Sequence, residues 1–180
     1  MYSTTKPLTD FHPAFPMENL FSLEHVLFLD IETTGLKASQ SKLYMIGIAF
    51  YKDGTWFIEQ RMTEDSSEES SLLLWLSERL LAFTHILTFN GNRFDLPFLI
   101  ERARRYDVSL PLDLLESVDI YKLIKPFKEL LVLPDCRQKT IEEFLGINRV
   151  DKYSGGELIQ IYQSYELSHN KEMLDLLLLH

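Results

Sequence analysis

Three carboxylates in this sequence have the types and spacing to do chemistry together. Asp30 and Glu32 stand two residues apart in the run Val26-Leu-Phe-Leu-Asp-Ile-Glu32. In a strand that spacing sends both side chains off the same face, where their oxygens can converge on one hard cation such as magnesium or manganese. The spacing alone is weak, since 27 acidic residues in a chain of 180 supply an Asp-x-Glu by chance. Its setting adds weight: the pair ends an apolar run, and a buried carboxylate costs several kcal/mol unless a cation or hydrogen bonds compensate it. The competing reading is an edge pair satisfied by solvent or by helix termini. Asp95 lies in Asn90-Gly-Asn-Arg-Phe-Asp-Leu-Pro-Phe-Leu99. Pro97 is tolerated only in a first helical turn, so a helix should start near Asn92 to Phe94 and hold Asp95, ionised, at its positive end. Asp95 shares a helix face with Phe98 and Leu99, which aims it at a sheet; the plainer reading is an acid that only serves the helix dipole.

The elements that must position these groups follow from pattern. Residues 1–23 mix proline, serine, threonine and aromatics without periodicity, and are expected to be an extended lead-in to a domain over 24–180. The continuous apolar run from Val26 predicts a central strand buried on both faces. Leu43 to Tyr51 and Thr55 to Arg61 predict two more strands, joined across Asp53-Gly54, a hairpin signal. Glu64 to Ser71 reads as capping for a helix over Leu72 to Phe83. A short strand at His85 to Phe89, a helix from Phe94 to Tyr106 and a last strand near Val118 to Tyr121 come next. Helices at Thr140 to Leu145, Glu157 to Tyr165 and Lys171 to His180 close the chain. The order implies an α/β fold: a mixed five-stranded sheet with helices on both faces.

Composition narrows the partners. A net charge of -9 and a pI near 5.0 argue against holding nucleic acid or anionic membrane by bulk electrostatics, while allowing a local site. The single cysteine, Cys136, cannot form an intrachain disulfide, and no Cys/His spacing suits zinc, so a reducing, cytoplasmic setting is expected. Apolar runs such as Leu176 to Leu179 are far too short to span a bilayer, and no signal-peptide core is present, so no membrane partner is expected. Nothing implies an obligate protein partner.

Phe28-Leu-Asp-Ile-Glu-Thr-Thr-Gly-Leu36, together with the Asn90 to Leu99 block, resembles the first two motifs of the DEDD 3′ to 5′ exonucleases, which have an RNase H-like fold. Leu133-Pro-Asp-Cys-Arg-Gln-Lys-Thr-Ile-Glu-Glu-Phe-Leu-Gly-Ile-Asn-Arg149 and Ser154-Gly-Gly-Glu-Leu-Ile159 look like the YprB-type branch. The resemblance runs from about Val26 to the last residue. It implies a two-metal phosphodiesterase acting on a nucleic acid, DNA or RNA, with a free 3′ end, and two Mg or Mn ions held by four acidic residues. It implies that Asp30 bridges the ions, Glu32 ligates the one that carries the nucleophile and Asp95 holds the other. Thr33, Thr34, Gly35 and Leu36 would line the pocket for the terminal nucleotide, with Leu36 wedged against a base, and Asn90 would bond the sugar or phosphate.

The sequence departs from this pattern at the third motif, His-Asn-x-x-Asp. His169-Asn170 looks like its start, but Met173 stands where the aspartate belongs. The resemblance places that histidine at a spacing which His180, 25 residues past Gly155, fits better. His180 is therefore the expected catalytic histidine, on one helix face with Met173, Leu176 and Leu177. The fourth acidic ligand is then missing, and the expectation is a domain cut within its last helix and impaired as a nuclease. A catalytically silent nucleic-acid-binding or scaffold domain on the same fold is the alternative, and an endonuclease a third reading. Asp119 is expected to cap the helix that follows it. Arg102, Arg104, Arg105, Lys122, Lys125 and Lys128 are lesser candidates for phosphate contacts.

Overall fold

The computed structural model describes residues 1–9, 16–147 and 153–179. Two compact units make up the chain, Met1–Val118 and Asp119–His180. The first is built on strands β1 (Tyr2–Pro7), β2 (Val26–Thr33), β3 (Leu43–Lys52), β4 (Thr55–Met62), β5 (His85–Thr88) and β6 (Glu116–Asp119), with helices α1 (Glu69–Leu80) and α2 (Asp95–Arg105). The sheet order is β1-β4-β3-β2-β5-β6. β1, β4, β3 and β2 run antiparallel to their neighbours, and β5 joins β2 in parallel.

This is the expected mixed α/β sheet with one strand more. The additional strand is β1, inside the segment expected to be an extended lead-in. It pairs with β4 from Tyr2 opposite Met62 to Pro7 opposite Phe57 and lies at the sheet edge. An edge strand bonded on one side needs no apolar alternation, and Pro7, which has no N–H, is tolerated there. Hence the pattern gave no signal. The β3–β4 hairpin turns through Asp53 at φ 49° and Gly54 at φ 82°, the left-handed pair that a two-residue Asp-Gly turn requires.

Leu72, Leu73, Leu76 and Leu80 line one face of α1 and pack, with Phe98, Leu99 and Ala103 of α2, against Leu27, Leu29 and Ile31 of β2 and Ile46 and Ile48 of β3. Each such side chain contributes roughly 1.5–3 kcal/mol when removed from water. Capping accounts for only part of the acidic run before α1. Asp65 accepts from the Ser67 N–H at 2.7 Å, and Glu64 and Glu68 hold the Met1 ammonium. Glu69 is fully buried instead.

The second unit contains α3 (Ile120–Ile124), α4 (Gln138–Phe144), α5 (Gly155–Ser168) and α6 (Lys171–Leu179). Asp119 accepts from the Tyr121 N–H and starts α3, as its expected capping role requires; the strand expected over 118–121 therefore stops at Asp119. Ser154 and Glu157 form a reciprocal capping box at the start of α5. His169 ends that helix in the left-handed conformation, and Asn170 accepts from the Glu172 N–H at 2.7 Å to start α6. The His169-Asn170 pair thus builds a helix-to-helix turn. α6 buries Leu177, with Met173 and Leu176 half-buried. His180 lies outside the described residues. Among those described, no helix is long and apolar enough to cross a membrane.

Candidate active site

β2 outruns its parallel neighbour. Pairing with β5 covers Val26 to Phe28, whereas pairing with β3 continues to Thr33. Past Phe28, β2 therefore presents backbone N–H groups on the β5 side that no strand can accept, and each needs another partner. The chain supplies one at Ile31, whose N–H donates to Asp95 Oδ1 at 3.3 Å. Asp95 is the first residue of α2 and is 4% exposed. Its carboxylate thus touches the backbone of the residue between Asp30 and Glu32, at the carboxyl end of a parallel strand, where open α/β sheets place their ligands.

The faces of β2 also divide as the spacing requires. Leu27, Leu29, Ile31 and Thr33 are buried; Phe28 and Glu32 are half-buried and Asp30 is exposed. The expectation of a strand buried on both faces is corrected here, and with it the argument that burial cost demands a cation at Asp30. That residue is open to solvent. Glu32 is met by the hydroxyl of fully buried Tyr44, 3.4 Å from Oε2. Among the described residues no group of three or more His, Cys, Asp or Glu side chains is gathered closely enough to hold a metal ion. Asp30, Glu32 and Asp95 therefore share one end of β2 without forming a ready-made cage. As a donor set, three carboxylates without thiolate or imidazole suit a hard cation.

The turn after β2 is tightly built. Thr33 Oγ1 donates to the Gly35 carbonyl at 2.9 Å, and Thr34 exchanges bonds with Lys42, its N–H donating to the Lys42 carbonyl and its Oγ1 accepting from the Lys42 N–H. A methyl group on Gly35 would come within 2.7 Å of Ser41 Oγ, so a larger residue there would turn the Ser41 hydroxyl aside. Leu36, 83% exposed, projects from the turn. Asn90, at φ 63°, opens the turn between β5 and α2. A Cβ on Gly91 would lie 2.4 Å from Thr88 Cβ and Oγ1. Gly91→Ala is expected to lower stability by about 1–3 kcal/mol, the usual cost of forcing extra volume into a packed site, and a urea unfolding midpoint measures it.

A family model described as the RNase_H superfamily matches residues 27–180. The chain belongs to the RNase_H superfamily. The solved structures agree on the fold of this RNase_H-superfamily chain. One is a family B DNA polymerase from Pyrobaculum calidifontis, with a TM-score of 0.63 at 18% identity over 84% of this chain and 22% of that one. Exonuclease I gives 0.57 at 13% identity over 83% and 42%, and a zinc-bound complex of E. coli ExoI with ssDNA gives 0.56 at 12% over the same shares. The RNase_H-superfamily chain thus spans less than half the length of these proteins. None of the curated proteins matches its sequence.

Arg102 leaves the set of phosphate-contact candidates. It is 3% exposed and forks onto Glu69, with Nε on Oε1 and Nη2 on Oε2, each at 2.6 Å. The sequence carries a signal for this that its grouping with Arg104 and Arg105 obscures. Arg102 sits between Leu99 and Ala103 on the apolar stripe of α2, where a charge requires a buried partner.

Proposed function

We propose that this chain is a metal-dependent 3′ to 5′ exonuclease of the DEDD type, of the YprB-type branch, with Asp30, Glu32 and Asp95 holding Mg or Mn. The observation that carries this reading is the Asp95 carboxylate on the Ile31 N–H, between the two strand acids. Three carboxylates at one strand end repel one another, and a divalent cation reverses that balance. When bound, two divalent ions would favour hydroxide at the attacking water and stabilise the leaving 3′ oxygen. The chain's own groups do the positioning. Tyr44 steadies Glu32, the β2 backbone fixes Asp95, and the closed Thr33–Ser41 turn presents Gly35 and Leu36 to a terminal nucleotide.

A silent nucleic-acid-binding domain is the second reading, favoured by Met173 in place of an acid and by the turn-building role of His169-Asn170. One experiment separates them. Strands with a labelled 3′ end and with a blocked 3′ end are incubated with Mn; release of mononucleotides from the free end alone upholds the exonuclease, internal cuts indicate an endonuclease, and binding without cleavage indicates the silent domain. Lys122 and Lys125 are exposed and make no ion pair among the described residues, Lys125 lying over the Tyr121 ring, and we infer that both meet phosphates. Replacing both with glutamine is expected to flatten the salt dependence of single-strand binding by roughly 0.7 log units of affinity per log unit of salt for each lysine. Titrations across a salt series read this directly.

A further inference from the structure

We propose that Arg102, held by Glu69, is a positioning residue that fixes the Gly35–Ser41 turn against the helix that carries Asp95. Asp95 and Arg102 are seven residues apart on α2, two helical turns, so they leave nearly the same face about 10 Å apart along the axis. Each makes a polar contact with one continuous stretch of chain. Asp95 accepts from the Ile31 N–H within β2, and Arg102 Nη1 donates to the Ala38 carbonyl, 2.9 Å away, in the turn that follows β2. Phe98 and Leu99 are buried between these two pins.

Glu69 completes the clamp from α1. Its Oε1 accepts from Arg102 and also from the Leu43 N–H at 2.9 Å, where the turn passes into β3. Its Oε2 accepts from Arg102 and from the Tyr106 hydroxyl. One fully buried ion pair thus ties down the middle of the turn at Ala38 and its exit at Leu43. Only a guanidinium can do this: its planar fork saturates both carboxylate oxygens and leaves a third N–H direction for Ala38, while a lysine ammonium is a point donor. The consequence is spacing. Leu36 stands far out in solvent on a turn that has one fixed relation to Asp95. This step rests on the nuclease reading, in which Leu36 and Gly35 meet the terminal nucleotide while Asp95 serves the reacting phosphate.

The test compares Arg102→Lys with Tyr106→Phe, which removes a hydroxyl from Glu69 but spares the Arg102–Ala38 contact. Gln40 and Ser41 amides both donate to the Lys37 carbonyl and report whether the turn is closed. In Arg102→Lys they are expected to exchange hydrogen at least roughly tenfold faster than in the parent, and in Tyr106→Phe at the parent rate. With a 3′-labelled strand and Mn, Arg102→Lys should raise KM about tenfold with kcat within about twofold, since misplacement of a binding group by an ångström is costly. Mn affinity should not change. If Arg102→Lys does not fold, Glu69→Gln/Arg102→Met replaces it: the amide oxygen still accepts from Leu43, no charge is buried, and the tie to Ala38 is gone. Parent-like exchange at Gln40 and Ser41 in either variant overturns the clamp, and faster exchange with unchanged KM overturns its role in substrate positioning. A parent that degrades no strand overturns the nuclease reading instead, and exchange, which needs no activity, still decides the clamp.

Discussion

Asp30→Asn is expected to fold as the parent does and to lose Mn-dependent release of mononucleotides from a 3′-labelled strand by about 10²–10³-fold, the scale on which a group acting at the transition state is felt. Asp30 is exposed, so neutralising it disturbs no packing, and its stability effect should stay within about 0.5 kcal/mol. Asp95→Asn makes the informative contrast. That carboxylate is buried on the Ile31 N–H, and exchanging a charge-assisted acceptor for an amide should cost about 1–2 kcal/mol of stability as well as activity. Loss of function with an intact fold at Asp30, and of both at Asp95, is the signature of a strand-end site closed by a helix-start acid. Calorimetric titration with Mn supplies a second readout. Equal Mn affinity and equal rate in Asp30→Asn and parent would remove Asp30 from the site.

What the sequence revealed of this site, and what it hid, has a physical pattern. Local signals were readable: the apolar run of β2, the Asp53-Gly54 hairpin, and Pro97, which set the start of α2 and with it the inward aim of Asp95. Each depends on one segment's own backbone. β1 was not readable because an edge strand gains its partners from β4 and needs no apolar face of its own. Nor was the exposure of Asp30, because an apolar run does not say which of its faces is covered; α1 and α2 pack on the face of Leu27, Leu29 and Ile31, and Asp30 leaves from the other. The Glu69–Arg102 pair was hidden for a third reason. Its partners lie 33 residues apart on different helices, and each sits in a charged cluster whose other members are exposed or half-buried.

That pair should also weigh heavily in the stability of the fold. Arg102→Met leaves Glu69 fully buried opposite a thioether, still accepting from Leu43 and Tyr106 but with no charge to balance it. Breaking a buried pair from one side costs about 3–5 kcal/mol, because the remaining ion loses its partner without regaining water. This is a large fraction of a typical domain's stability of about 5–15 kcal/mol, so the single variant should unfold at a clearly lower denaturant concentration than the parent. Adding Glu69→Gln to it should restore most of the loss, since the amide keeps the Leu43 bond and no charge remains to be desolvated. The ordering matters more than either number: the double variant must be more stable than the Arg102→Met single. Denaturant midpoints for parent, both singles and the double close the cycle. If the double variant is no more stable than Arg102→Met alone, the cost lies in the hydrogen bonds that Arg102 itself donates, to the Ala38 carbonyl and to the Tyr106 hydroxyl at 3.5 Å, and not in a stranded charge; α2 would then be held to the β2–β3 turn chiefly by directional hydrogen bonds.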